Sequence, residues 1–227
     1  MQTLLSSREK FRTNARSEEC YLALLTSCDD AAAACSEASN HVKNSSETGK
    51  PNKMSTLDNL KGYLTYLKIS TEMSWKESMI TCKDGIKTVG VIGVLHLYDS
   101  IWQGSTKILE LLRDSAKSDD NDFLVKAEAE EARVRALRCY YLGLTYAGND
   151  DFTAALTLFD HAQDLAQTAA SKLAMIAEEG GSEDADEQAK SMIELEETIL
   201  SSRCRAKAEQ FLSNNLEESG AGGDCVR

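Results

Sequence analysis

"RCYYLGLTYAGNDDFTAALTLFDHAQ", residues 138–163, places Gly143, Tyr146, Ala155, Phe159 and Ala162 at intervals that suit two helices folded against each other about a short joint. Antiparallel helices approach closely only where side chains are small. Gly143 and Ala155 are therefore expected at the crossing, with Tyr146 and Phe159 beside it. Gly148 and Asn149 carry the residue types that turn a chain. The stretch predicts packing surface and not a reactive centre.

The same ladder of bulky and small positions characterises the tetratricopeptide repeat, a helix pair of about 34 residues. With Gly143 as the central glycine, Leu142, Tyr146, Ala155, Phe159 and Ala162 fall at the expected offsets, counted over residues 136–170. Cys139 stands where Trp is usual, and Gln167 where Pro usually follows. The sequence shows no second copy with comparable matches. A single pair cannot bury its own apolar face, so flanking helices must cover it in a divergent array.

Outward from this pair the periodicity remains helical. Phe11, Ala15, Tyr21, Leu24, Cys28, Ala31, Cys35, Ala38 and Val42 recur mostly three or four apart, and predict a first helix over 11–42. "KNSSETGKPNK" reads as a loop, and Ser55 with Asp58 as a capping box opening a second helix over roughly 56–82. "KDGIKTVGVIG" interrupts it, before a third helix carrying Leu95, Tyr98, Ile101, Trp102, Ile108, Leu109 and Leu112. "KSDDND" separates this from the fourth, whose buried face should be Leu124, Ala127, Val134, Leu137, Tyr141 and Leu144. The fifth buries Phe152, Ala155, Leu156, Phe159, Ala162, Ala166 and Leu173, and stops near Gly180. The sixth starts at 182–184 and carries Ala189, Ile193, Ile199, Leu200, Cys204, Phe211 and Leu212. The expectation is an all-α chain: an antiparallel, tetratricopeptide-like array of about six helices over 1–216, followed by a disordered tail, 217–227.

Composition agrees with an all-helical reading, because one proline and few β-branched runs leave little punctuation for a sheet. The formal charge of −12 disfavours generic attraction to nucleic acid or anionic lipid. The seven cysteines are odd in number, scattered and without a CxxC pair, which argues for a reduced compartment. Cys28 and Cys35 share one helical face, as small buried thiols do.

Several motifs look like chemistry and fail on spacing. "GIKTVG" lacks the Gly directly before Lys that a phosphate loop requires, and reads as a flexible loop. His41, His96 and His161 lie too far apart, without ligand-spaced partners, for a metal site. Nine acids lie within 178–197, where they suit a solvated helix face better than a catalytic dyad. Arg133, Arg135 and Arg138 form a basic cluster that could touch RNA or a partner, as could Arg203, Arg205 and Lys207. The favoured reading is pairing with Glu130, Glu131 and Glu209 along the same helices. Neither an enzyme nor a cofactor is expected.

Four segments in order, "YLTYLKISTEMSWKESM" (63–79), "LYDSIWQGSTKILELL" (97–112), "RALRCYYLGLTYAGNDDFTAALTLFDHAQDLA" (135–166) and "SSRCRAKAEQFL" (201–212), are similar to the C-terminal half of the 68-kDa subunit family of the signal recognition particle. The resemblance covers about 57–212. It implies an architectural, noncatalytic subunit of a cytoplasmic ribonucleoprotein that delivers translating ribosomes to the endoplasmic reticulum membrane, with a nucleolar stage during assembly. The implied partners are 7S RNA and the 72-kDa subunit, without membrane insertion or a small-molecule ligand. The resemblance places the family's RNA-binding region in a basic helical domain upstream of these segments. It places the contact with the 72-kDa partner in an apolar C-terminal tail, where this chain has "ESGAGGDCVR". Both activities are therefore expected mainly outside this chain. The competing reading is a free-standing tetratricopeptide-like adaptor whose groove, lined by Tyr140 and Tyr141, accepts a partner's peptide.

Overall fold

The computed structural model describes the backbone of residues 18–44, 50–81, 85–115, 121–178 and 183–221, and every element in these ranges is a helix. They are α1 (Glu18–Asn44), α2 (Lys50–Thr81), α3 (Gly85–Ser115), α4 (Asn121–Ala147), α5 (Phe152–Glu178) and α6 (Glu183–Ala221). The chain is all-α, as its periodicity predicts. It divides into two compact units: residues 1–83 with 103–117, and residues 84–102 with 118–227.

Three boundaries differ from expectation. α2 begins at Lys50, with Pro51 in its first turn, so the last part of the expected loop, 50–53, and the capping box at Ser55 and Asp58 lie inside the helix, while 45–49 lie outside the described residues. A first-turn proline loses no hydrogen bond, because the N–H it lacks would have no intrahelical partner. Of the expected interruption at 83–93, residues 83 and 84 lie outside the described residues, while 85–93 belong to α3 and break its geometry at Gly90, where φ is 71° and ψ 167°. A Cβ there would meet no atom within 4 Å, so Gly90 is required by its backbone conformation and not by space. α6 continues as helix to Ala221, five residues into the stretch expected to be a disordered tail, and the rest of that tail lies outside the described residues. Phe11 and Ala15 also lie outside them.

In the first unit α1 and α2 run antiparallel. Asp29 on α1 accepts a 2.6 Å charged hydrogen bond from Lys68 on α2, while Tyr21 stacks on Trp75 at 6.3 Å between ring centroids. Along the same interface lie Leu24, Cys28, Cys35, Leu64 and Leu67, all buried. The two cysteines do occupy one buried face of α1. Burial, then the neighbouring Asp29 carboxylate, pushes the Cys28 thiol above its ordinary range, with Lys68 opposing.

The second unit is larger and its core runs the length of α5. Phe152, Ala155, Phe159, Ala162, Ala166, Ala169, Leu173 and Ile176 are all buried, alternating three and four residues apart. That spacing is a heptad seam. Its alanines permit close approach by α4 on one side and α6 on the other, both antiparallel to α5. On α6 the matching positions are Ala185, Ala189, Met192, Ile199 and Ala206. Polar pairs beside this seam fix the register: Gln167 with Glu196, Asp160 with Arg203 and Thr153 with Gln210, each seven residues from the next on both helices.

Candidate functional site

α4 carries Gly143, Leu142, Tyr146 and the three arginines singled out in the sequence, and α5 carries Ala155, Phe159 and Ala162. Ala129, Ala132, Ala136, Cys139 and Tyr140 pack into the core shared with α5 and α6. Tyr141 projects to another side, where its ring stacks on Tyr98 of α3 at 5.4 Å. The helix therefore has no single apolar stripe, and the single face expected from sequence identifies part of what is covered.

Gly143 is buried against the ring of Phe159. A Cβ at this position would stand 2.7 Å from Cε1 and 2.9 Å from Cδ1 of that ring, closer than carbon atoms approach without displacement. Ala155, Phe159 and Ala162 are wholly enclosed. Leu142 is half-buried, and Tyr146 is 39% exposed, so its side chain is not part of the enclosed crossing. What Tyr146 contributes is backbone: its carbonyl accepts from the amides of Asn149 and Asp151 at the turn. The turn itself depends less on Gly148 and Asn149 than on Asp150, whose φ is 62°. Asp151 then caps α5, its Oδ1 accepting from the amide of Ala154 at 3.1 Å.

Rings cross the unit in sequence. Tyr98 on α3 stacks on Tyr141, which meets Tyr140 edge-on at 5.3 Å, and Tyr140 lies 6.0 Å from Phe159 on α5. The Tyr140 hydroxyl reaches Ser202 Oγ of α6 at 3.3 Å. Both tyrosines are thus engaged within the chain, and they do not line an open peptide groove. Burial raises the Tyr141 phenol above its ordinary pKa, helped by neighbouring Tyr140.

The arginine cluster is tied to acids of the same chain. Arg133 makes a two-pronged contact with Glu130, Nε to Oε2 at 2.8 Å and Nη2 to Oε1 at 2.7 Å. Arg135 lies 3.6 Å from Glu131, and Arg138 donates from Nε to Asp99 on α3. The Arg138 guanidinium also sits 5.1 Å from the ring centroid of Trp102, whose indole N–H donates to Glu131 at 3.1 Å. One network thereby joins α3 to α4: Asp99, Arg138, Trp102, Glu131 and Arg135. The helix-face pairing expected for Glu209 also forms, with Arg205, whereas Arg203 reaches across to Asp160.

Cys139 is buried between these groups, and burial raises its pKa despite the opposing charges of Arg138 and Arg135. It is kept as a thiol, the unreactive form. Among the described residues no group of three His, Cys, Asp or Glu is placed to hold a metal, and His41, His96 and His161 are all exposed. A shallow hollow between the α4–α5 turn and Glu209, Leu212 and Ser213 of α6 is open to solvent. No described helix is long and apolar enough to cross a membrane.

Comparison with known proteins decides what this packed array belongs to. The family described as "RNA-binding signal recognition particle 68" matches over residues 2–222. The chain belongs to that family. The signal recognition particle subunit SRP68 of Caenorhabditis elegans is 25% identical over 157 residues, which cover 69% of this chain and 24% of the worm protein. The chain thus spans about a quarter of the length of that relative. No solved structure matches it.

Sequence reasoning missed Asp99, Glu128 and Lys172 and the role of Trp102, whose contacts join consecutive helices through residues far apart along the chain. The signal available for α5 and α6 is the common seven-residue step of their polar partners, which becomes visible once the two helices are written in opposite directions.

Proposed function

We propose that this chain is a noncatalytic helical body of a signal recognition particle subunit, serving as spacer and docking support within the ribonucleoprotein. The particle would be cytoplasmic and would deliver translating ribosomes to the endoplasmic reticulum, with 7S RNA and the 72-kDa subunit as partners. The observation that carries this reading is the family match across nearly the whole chain. The arginine cluster favours the supporting role: a guanidinium engaged by a carboxylate has to lose that partner before it can take a phosphate. The three α4 arginines and the charge of −12 therefore suit helix packing better than a primary RNA platform. The tetratricopeptide-like character of the α4–α5 pair belongs to the same reading, with Gly143 under Phe159 as its physical basis.

The test is affinity purification of the tagged full-length subunit from cells, with and without ribonuclease. Enrichment of the particle's RNA and the 72-kDa subunit, weakened by digestion, is the expected result. No enrichment of that RNA overturns the proposal, and capture of a protein ligand insensitive to ribonuclease would favour an adaptor.

A further inference from the structure

The sequence names Ile193, Leu200, Cys204 and Phe211 among the positions carried by the sixth helix, and the structure places all four on the surface of α6. Ile193 is 54% exposed, Leu200 47% and Phe211 68%. With Glu197 and Lys207, also exposed, they complete a second heptad seam: 193, 197, 200, 204, 207 and 211, alternating four and three residues apart. It lies beside the buried seam of Met192, Ile199 and Ala206 that packs on α5, so α6 presents two adjoining faces and α5 covers one.

The order of residues along this outer seam is symmetric about Ser202. Turned end for end against a copy of itself, the seam sets Ile193 opposite Phe211, Leu200 opposite Cys204 and Glu197 opposite Lys207. The single acid and single base in the seam therefore meet each other twice, and apolar groups meet apolar groups throughout. Along their own helix Glu197 and Lys207 are about 15 Å apart, too far to pair, and neither has an ion-pair partner among the described residues. The flank is permissive as well: Glu194 would face Ala208, and Ser201 would face its own counterpart. On the α5 side Arg203 is already neutralised by Asp160.

We propose that the outer face of α6 is a self-association surface, on which two copies of the chain pair antiparallel about a two-fold axis through Ser202. A two-fold interface requires a self-complementary patch, and this seam is one in both apolarity and charge. A partner carrying an unrelated sequence would not require the acid and base to be symmetrically placed. One helix-on-helix seam falls at the small end of interfaces, roughly below 1,200 Å², and the charge of −12 on each copy opposes association. Pairing is therefore expected in the micromolar range.

Sedimentation of the intact chain over roughly 1–200 μM, a range chosen for weak interfaces of this size, tests the proposal. The wild type should shift from monomer to dimer. Glu197→Lys and Lys207→Glu should each weaken association about tenfold by creating two like-charge contacts. The double exchange, Glu197→Lys with Lys207→Glu, should return it to within about threefold, since the opposed charges face each other again across the axis. Leu200→Glu should abolish the dimer. All of these substitutions fall on exposed positions, so unchanged helical circular dichroism serves as the folding control. A chain that stays monomeric throughout, or a double exchange no better than the single ones, overturns the proposal.

Discussion

The contact between Gly143 and Phe159 shows how one missing carbon sets the distance between two helices. Alanine ordinarily stabilises a helix interior over glycine by about 1 kcal/mol, so the sign of Gly143→Ala depends on whether the neighbour can yield. The Phe159 ring is fully enclosed and bordered by Tyr140, and it cannot move away cheaply. Overpacking of this kind costs roughly 1–3 kcal/mol. Gly143→Ala should therefore lower the chemical-denaturation midpoint. Gly62→Ala should leave it unchanged or raise it, because a Cβ at Gly62 meets nothing within 4 Å. Equal effects from the two substitutions would deny the close approach. The glycine is legible in the sequence from its spacing. Phe159 is expected beside the crossing, but that its ring is what lies against Gly143 is not legible, because spacing along a chain gives the face of a residue and not the atoms it meets.

At the scale of the element, helix existence is legible everywhere the structure describes the chain, since a run of apolar residues three and four apart has no extended solution that buries them together. Ends are less legible. Pro51 reads as a breaker although the first turn accepts it, and "GIKTVG" reads as a loop although a single glycine torsion takes up the break. The α4–α5 turn falls where the sequence places it, but its left-handed residue is Asp150 and its cap is Asp151, neither of which an Asn-Gly style reading selects. Asp151→Ala should destabilise the chain by about 1 kcal/mol through the unsatisfied first-turn amide, and Asp151→Ser should recover most of that loss. Thermal unfolding of the two variants checks both. On α4, alkaline pH probes the Tyr141 phenol, whose pKa is raised in the folded chain. The folded state holds that proton more tightly than the unfolded state, so its contribution is complete below the ordinary tyrosine value and is lost as pH rises above about 10. Tyr141→Phe should flatten the stability profile there.

Across the whole molecule, the sequence indicates an all-α array and a family, and both stand. It names the residues of both stripes of α6 together, because periodicity cannot distinguish a seam filled from within the chain from one left open. It is equally silent on the Asp99–Arg138–Trp102–Glu131 network, whose members come from two helices and share no motif. The second unit behaves, on this account, as one body whose integrity rests on α5 filling the space between α4 and α6. Trp102 reports on that unit, since its ring contacts Arg138 and its N–H reaches Glu131. In a Trp75→Phe background its fluorescence can be followed alone, with helix content measured in parallel. Phe159→Ala should remove roughly 3–5 kcal/mol of stability, moving both unfolding transitions to lower denaturant together. A Trp102 transition that keeps the wild-type midpoint in that variant would contradict the account.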